Sequence, residues 1–247
     1  MKVLATYSIK GGVGKTTSAV NLAYEASRAG ARVLLWDLDP QGAASFYFRI
    51  RPKVKGGTSR LVGERGELPA HVRATDLPAL HVVPADFSLR HLDLHLDATK
   101  RPTERLAALL APLHDSYDVA VLDCPPGISL ASESVFGASA ALLVPVIPTT
   151  LSARTLSQLA GFLEGLSGAP ALLPHFTMVD RRKKLHREQL ASLSAAWPAF
   201  LHAVVPNASA VERMGVERAP VASFAPTSPA ARAFRELWSE IAARLWP

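Results

Sequence analysis

Apolar residues along this chain fall into two alternating arrangements: short continuous runs, and longer stretches with helical spacing. Lys2–Ser8, Ala31–Asp37, Leu80–Pro84, Asp118–Asp123, Ala140–Val146, Ala171–Val179 and Leu201–Val205 read as short buried strands. Ala19, Val20, Leu22, Ala23 and Ala26 recur at the spacing of a helix over Thr16–Ala29, and Gly30 suits its stop. Thr103–Leu113 and Ser152–Leu166 predict two more helices. Strands that are apolar throughout, alternating with amphipathic helices, indicate βαβ units. The predicted class is therefore α/β, with a mostly parallel sheet covered by helices on both faces. Residues 49–78 break the pattern, with Gly56-Gly57, Gly63 and Gly66 set among charges, and predict a surface loop with a short helix. No Pro- or Gly-rich linker and no repeat divides the chain, so a single domain over 1–247 is expected.

Three strand ends carry chemistry. Lys10-Gly11-Gly12-Val13-Gly14-Lys15-Thr16-Thr17 lies between the first strand and the first helix, the context a phosphate-binding loop requires. Its glycines let backbone N–H groups converge on phosphate oxygens, and the helix start adds its positive dipole end. Lys15 is placed for the β- and γ-phosphates, the Thr16 hydroxyl for Mg2+, and Thr17 for the α-phosphate. Asp37-Leu38-Asp39-Pro40-Gln41 closes the second strand, and Asp123 closes a later one before Cys124-Pro125-Pro126-Gly127. In a parallel sheet these ends open on one side, where ligands of open α/β folds bind. Asp123 is expected to hold the metal through a bound water, and Asp39 to orient an attacking water. The reading narrows to a single-domain P-loop NTPase with ATP and Mg2+ as cofactors.

These motifs resemble those of the ParA/MinD family of deviant Walker ATPases, the ParA branch above all. The resemblance rests on Lys10–Thr17, Asp37–Gln41 and the Asp123 strand, and extends more weakly through Leu80–Pro84, Val204–Asn207 and Ser228–Ala230. It implies that Lys10 reaches across an ATP-sandwich homodimer to the partner's nucleotide and that Asp39 assists hydrolysis. It also implies that the Pro125–Gly127 loop responds to the γ-phosphate and that Pro206 and Asn207 contact adenine. An ATPase of this kind, slow on its own, would bind DNA non-specifically as a dimer and leave it when an activating adaptor stimulates hydrolysis. Its cargo would be a plasmid, a chromosome origin or a protein assembly. Residues 49–78 match the family poorly, and the N-terminal helix-turn-helix extension of some relatives is not expected.

Composition sharpens this picture. At 49% hydrophobic and 19% charged, the 247 residues can build a sizeable core, which excludes global disorder. No run reaches the roughly 18–20 apolar residues of a membrane span, and the apolar stretch ending at Lys10 is too short for a secretion signal. The single Cys124 cannot form an internal disulfide or a CxxC pair, which points to a reducing cytoplasm and removes the iron–sulphur branches of the family. Lys+Arg number 27 against 21 Asp+Glu, a net +6. Setting aside Lys10, Lys15, Asp37, Asp39 and Asp123 raises the excess to +7, so it lies outside the nucleotide site. Arg181, Arg182, Lys183, Lys184 and Arg187 form one basic cluster, and Arg49, Arg51, Lys53, Lys55 and Arg60 another with no acid among them. The first is the candidate DNA contact, to phosphates and therefore salt-dependent, with the protein associated with the nucleoid.

The stretch Ala230–Trp246 leaves an alternative open. Phe234, Leu237, Trp238, Ile241 and Leu245 mark an apolar face beside Arg232, Arg235 and Arg244, as in an interfacial helix of a MinD-like membrane-cycling ATPase. Glu236 and Glu240 dilute the charge, and composition favours packing on the domain, so stable membrane association is not expected. A metabolic P-loop ligase is a third class; no substrate pocket is evident for it, and Lys10 argues against it.

Overall fold

The computed structural model describes residues 1–246. Eight strands form one sheet: β1 Lys2–Thr6, β2 Val33–Asp37, β3 Arg73–Ala74, β4 Leu80–Val83, β5 Val119–Asp123, β6 Ala141–Val146, β7 Ala171–Val179 and β8 Val204–Pro206. Their spatial order is β3-β4-β2-β5-β1-β6-β7-β8, and only β3 runs antiparallel to its neighbour. β1 is central, between β5 and β6.

Alternation along the strands explains the unbroken apolar runs. Val3 and Ala5 of β1, with Leu34 and Trp36 of β2, join one core layer under the helices Leu130–Ala138 and Thr150–Glu164. Leu4, Val33 and Leu35 face the other layer, beneath the helices Lys15–Arg28 and Pro229–Leu245. Both faces are dry, so neither set of positions is polar.

The structure departs from the sequence reading at several boundaries. Thr103–Leu113 is not one α-helix: Pro102–Glu104 and Ala111–Leu113 are 3-10 turns around a short α segment, Arg105–Leu110. Pro112 has no N–H for the next helical bond, which ends the α-helix there. The last strand runs Val204–Pro206 rather than from Leu201, although the Leu201 N–H still bonds the Pro174 carbonyl at 2.8 Å. Residues 49–78 contain the helix Gly57–Val62 but are not merely a surface loop. Val54, Leu61, Val62 and Leu68 are buried in the first core layer. Interleaved glycines and charges hid that periodicity.

The terminal helix Pro229–Leu245 is part of the core. The Ser228 hydroxyl caps it by accepting from the Ala231 N–H at 3.2 Å, and Pro229 occupies its first turn, where a missing N–H costs nothing. Phe234, Leu237 and Ile241 are almost fully buried, and the Glu240 carboxylate accepts the His202 and Ala203 backbone N–H groups, each at 2.7 Å. The apolar face that resembled a membrane anchor is thus occupied by the domain itself. Among the described residues no helix is long and apolar enough to cross a membrane. Phe234→Ala should destabilise the fold by about 3–5 kcal/mol in urea titrations. A loss under about 1 kcal/mol would mean that this face is not core.

Candidate functional site

The glycine-rich loop joins β1 to the helix Lys15–Arg28. Gly14 turns the chain at φ +90°, a left-handed conformation, and a Cβ there would lie 3.3 Å from Thr177 Oγ1 on β7. Glycine is required on both counts. The helix that follows has no side-chain cap and no acid in its first turn, whereas Thr149 and Ser228 cap theirs. Its first N–H groups and dipole are left for an anion. Lys15 is 6% exposed, and its Nζ donates to the Lys10 carbonyl at 3.3 Å. Burial pulls its pKa down, against the pull of Asp123, Cys124 and Asp39. Lys10 is exposed, and among the described residues its ammonium has no hydrogen-bond or ion-pair partner.

Beside the loop lies a row of strand ends. Parallel register sets Thr6 opposite Asp123, and Asp123 opposite Asp37. Asp37 is fully buried; its Oδ2 accepts the Ser45 N–H at 2.8 Å and the Ser45 hydroxyl at 2.7 Å. Burial raises its pKa to about 6 despite those bonds. Asp123 is also fully buried, with only the Thr6 hydroxyl at 3.4 Å on Oδ1, while Oδ2 has no partner. Burial and then the Asp37 charge push its pKa well up, moderated by the Thr16 hydroxyl. Two adjoining buried carboxyl groups, one oxygen orphaned, with a hydroxyl alongside, form a hard oxygen donor set suited to a divalent cation. Asp39 is half-buried, its Oδ1 accepting the Gln41 N–H at 2.9 Å. After Asp123, the loop folds back so that the Tyr7 hydroxyl donates to the Gly127 carbonyl at 2.5 Å.

Pro206 and Asn207 line a cavity of about 480 Å3 between the ends of β7 and β8, and the Asn207 N–H bonds the Val179 carbonyl at 3.0 Å. Asp180, Arg181, Arg182 and Arg232 line the same cavity, so part of the first basic cluster borders it. Arg182 is committed to Asp180 through Nε and Nη2, both at 2.9 Å, and Lys184 faces Glu188 at 3.6 Å. Arg187 donates to the carbonyls of Arg181 and Arg182. Arg181 and Lys183 are exposed and make no ion pair among the described residues. The second basic cluster lies toward β3, at the opposite edge of the sheet.

Sequence spacing did not mark Thr6, Tyr7, Ser45 or the pair Ser18–His175, because each acts through a partner distant in the chain. Ser18 Oγ lies 3.2 Å from Nε2 of the fully buried His175, tying the first turns of the phosphate-loop helix to β7. Burial lowers the His175 pKa to about 4, so the ring is neutral near pH 7.

The glycine loop, Lys15, Asp37 and Asp123 lie together at the carboxyl ends of the central strands, a set suited to a ligand that brings negative charges together with a divalent cation. The molecule is accordingly an α/β protein of the phosphate-loop nucleotide-binding class. A family model described as an AAA domain matches residues 1–170. The chromosome partitioning protein ParA of Caulobacter vibrioides is 31% identical over 99% of this chain and 95% of its own. The chromosome-partitioning ATPase Soj of Thermus thermophilus is 34% identical over 98% and 96%. A crystal structure of cobyrinic acid a,c-diamide synthase from Mycobacterium smegmatis, with bound ADP and magnesium, superposes with a TM-score of 0.82 at 26% identity, covering 100% of this chain and 95% of that one. The chain belongs to the ParA/MinD family of deviant Walker ATPases. It is an ATP hydrolase, with ATP and Mg2+ as cofactors.

The buried His175 makes stability pH-dependent. Its folded pKa of about 4 lies below the ordinary 6.5, so its contribution is complete above pH 6.5 and falls as the pH drops toward 4. Wild-type stability in urea should lose about 2 kcal/mol from this group between pH 7 and pH 5. His175→Asn should lack that component; equal losses in both proteins would refute it.

Proposed function

We propose that residues 1–247 act as a single ATPase domain that closes around ATP as a homodimer, binds DNA non-specifically and leaves it when an activating adaptor stimulates hydrolysis. The chain is a partitioning or positioning ATPase. The finer cycle is carried by one observation: within one loop Lys15 is buried, while Lys10 is exposed and unpaired among the described residues. One lysine serves the protomer's own nucleotide, and the other is free for the nucleotide of a second protomer. The partitioning names of the Caulobacter and Thermus relatives support the same reading.

Phosphoryl transfer to water needs positioning and charge stabilisation more than covalent chemistry. In this reading Gly11, Gly12, Val13 and Gly14 present N–H groups to the phosphates, Lys15 neutralises the β- and γ-oxygens, and Thr17 reaches the α-phosphate. Thr16 and, through water, Asp123 would hold Mg2+, which screens the phosphate charge. Asp39, half-buried beside the buried carboxyl row, orients the water. Pro206 and Asn207 receive adenine in their cavity. DNA phosphates meet Arg181, Arg182, Lys183, Lys184 and Arg187, of which Arg181 and Lys183 carry the freest charges. The protein would then work in the cytoplasm on the nucleoid, moving a plasmid, a chromosome origin or a protein assembly. The membrane-cycling alternative has less support, since the face it needs is buried in the core.

Lys15→Ala should abolish ATP binding in calorimetry. Lys10→Ala should still bind ATP but sediment as a monomer and lose retention on DNA at low salt. Asp39→Ala should keep nucleotide binding while turnover falls about 100-fold. ATP-loaded wild type that pellets with anionic vesicles but ignores DNA would overturn the DNA reading.

A further inference from the structure

The second basic cluster is more than a solvated face. Lys55, Arg60, Arg65 and Arg73 are brought together around a cavity of about 390 Å3, where the only acid is Glu67. All four cations are exposed, and none makes an ion pair among the described residues. Several other surface arginines are matched by an acid: Arg32 with Asp118, Arg49 with Asp76, Arg101 with Glu104, Arg182 with Asp180, and Arg213 with Glu217. Like charges converging on a concavity without counter-charges raise the local potential and favour an anion.

Two further observations point inward. His71 lines the same cavity, is 7% exposed, and its Nδ1 is buried with no hydrogen-bond partner. Burial, then Arg73 and Arg60, lower its pKa, which favours the uncharged ring beside these cations. Lys55 and Arg73 also border an adjoining depression of about 670 Å3 that reaches Arg51 and Lys53. The positive surface is therefore an elongated trough.

We propose that this trough is a binding site for a ligand carrying more than one phosphate, supplied by a nucleic-acid backbone or by a free polyphosphate. The site is separate from the nucleotide loop, and its existence does not depend on the DNA cycle proposed above. Lys55, Arg60, Arg65 and Arg73 provide charge, with charge-assisted hydrogen bonds from the arginines.

The test keeps the protein saturated with ADP and Mg2+, so that the phosphate loop is filled. Inorganic tripolyphosphate is titrated by calorimetry, and a short DNA duplex is titrated across a salt series. Arg60→Ala/Arg73→Ala and, separately, the exposed charge reversal Arg65→Glu should weaken binding about tenfold or more, with wild-type melting and ATP turnover. Weaker duplex binding with a salt slope shallower by about one unit per lost cation assigns the trough to nucleic acid. A loss confined to tripolyphosphate assigns it to a free polyphosphate. If the variants bind both probes as the wild type does, or the wild type binds neither, the proposal is overturned. Arg181→Ala/Lys183→Ala, titrated with the duplex in a non-hydrolysable ATP analogue in place of ADP, reports on the DNA cycle alone.

Discussion

Two carboxyl groups buried side by side, Asp37 and Asp123, constrain everything at the working edge of this protein. They end neighbouring strands in parallel register, and neither is exposed to solvent. Ser45 satisfies Asp37, but one oxygen of Asp123 has no partner. An unpaired buried charge costs several kcal/mol, which is why burial raises the pKa of both groups. Lys15, the nearest buried cation, spends its hydrogen bond on a backbone carbonyl instead. A divalent cation reverses this electrostatic logic, since it favours the ionised forms that burial disfavours. A cation held there would offset the charge of both carboxyl groups.

The surroundings separate what is held from what can move. The phosphate-loop helix is clamped to β7 by Ser18 and His175 and covered by the terminal helix, so the start of that helix has little freedom. The segment after Asp123 is tied chiefly through its backbone, where the Tyr7 hydroxyl meets the Gly127 carbonyl and the Tyr7 ring packs edge-on against Phe136. A contact that depends on one hydroxyl can be exchanged more easily than a packed core.

Much of the fold was legible because strands buried on both faces leave continuous apolar runs, and seven such runs became seven strands. The phosphate loop was equally legible, since Gly14 and the uncapped helix start are local requirements on backbone shape. Residues 49–78 were less legible. Leu61 and Val62 reach the core from a helix of only six residues and Leu68 from a single 3-10 turn, and the eighth strand, β3, is two residues long. The terminal helix had two readings from its pattern alone, because an apolar stripe looks the same whether a membrane or a protein covers it.

The sequence by itself determined the elements whose physics is local: the glycine turn, the helix it opens, the apolar strands and the aspartates that end them. Tertiary structure alone decided which of those aspartates share a row, through the crossover that sets β5 between β1 and β2. It also paired His175 with Ser18 and sent the two basic clusters toward opposite edges of the sheet. Seven strand spacings of about 4.8 Å put those edges roughly 34 Å apart. Spacing along a chain fixes only what a few covalent bonds can reach, whereas neighbours across a sheet are chosen by burial and strand order.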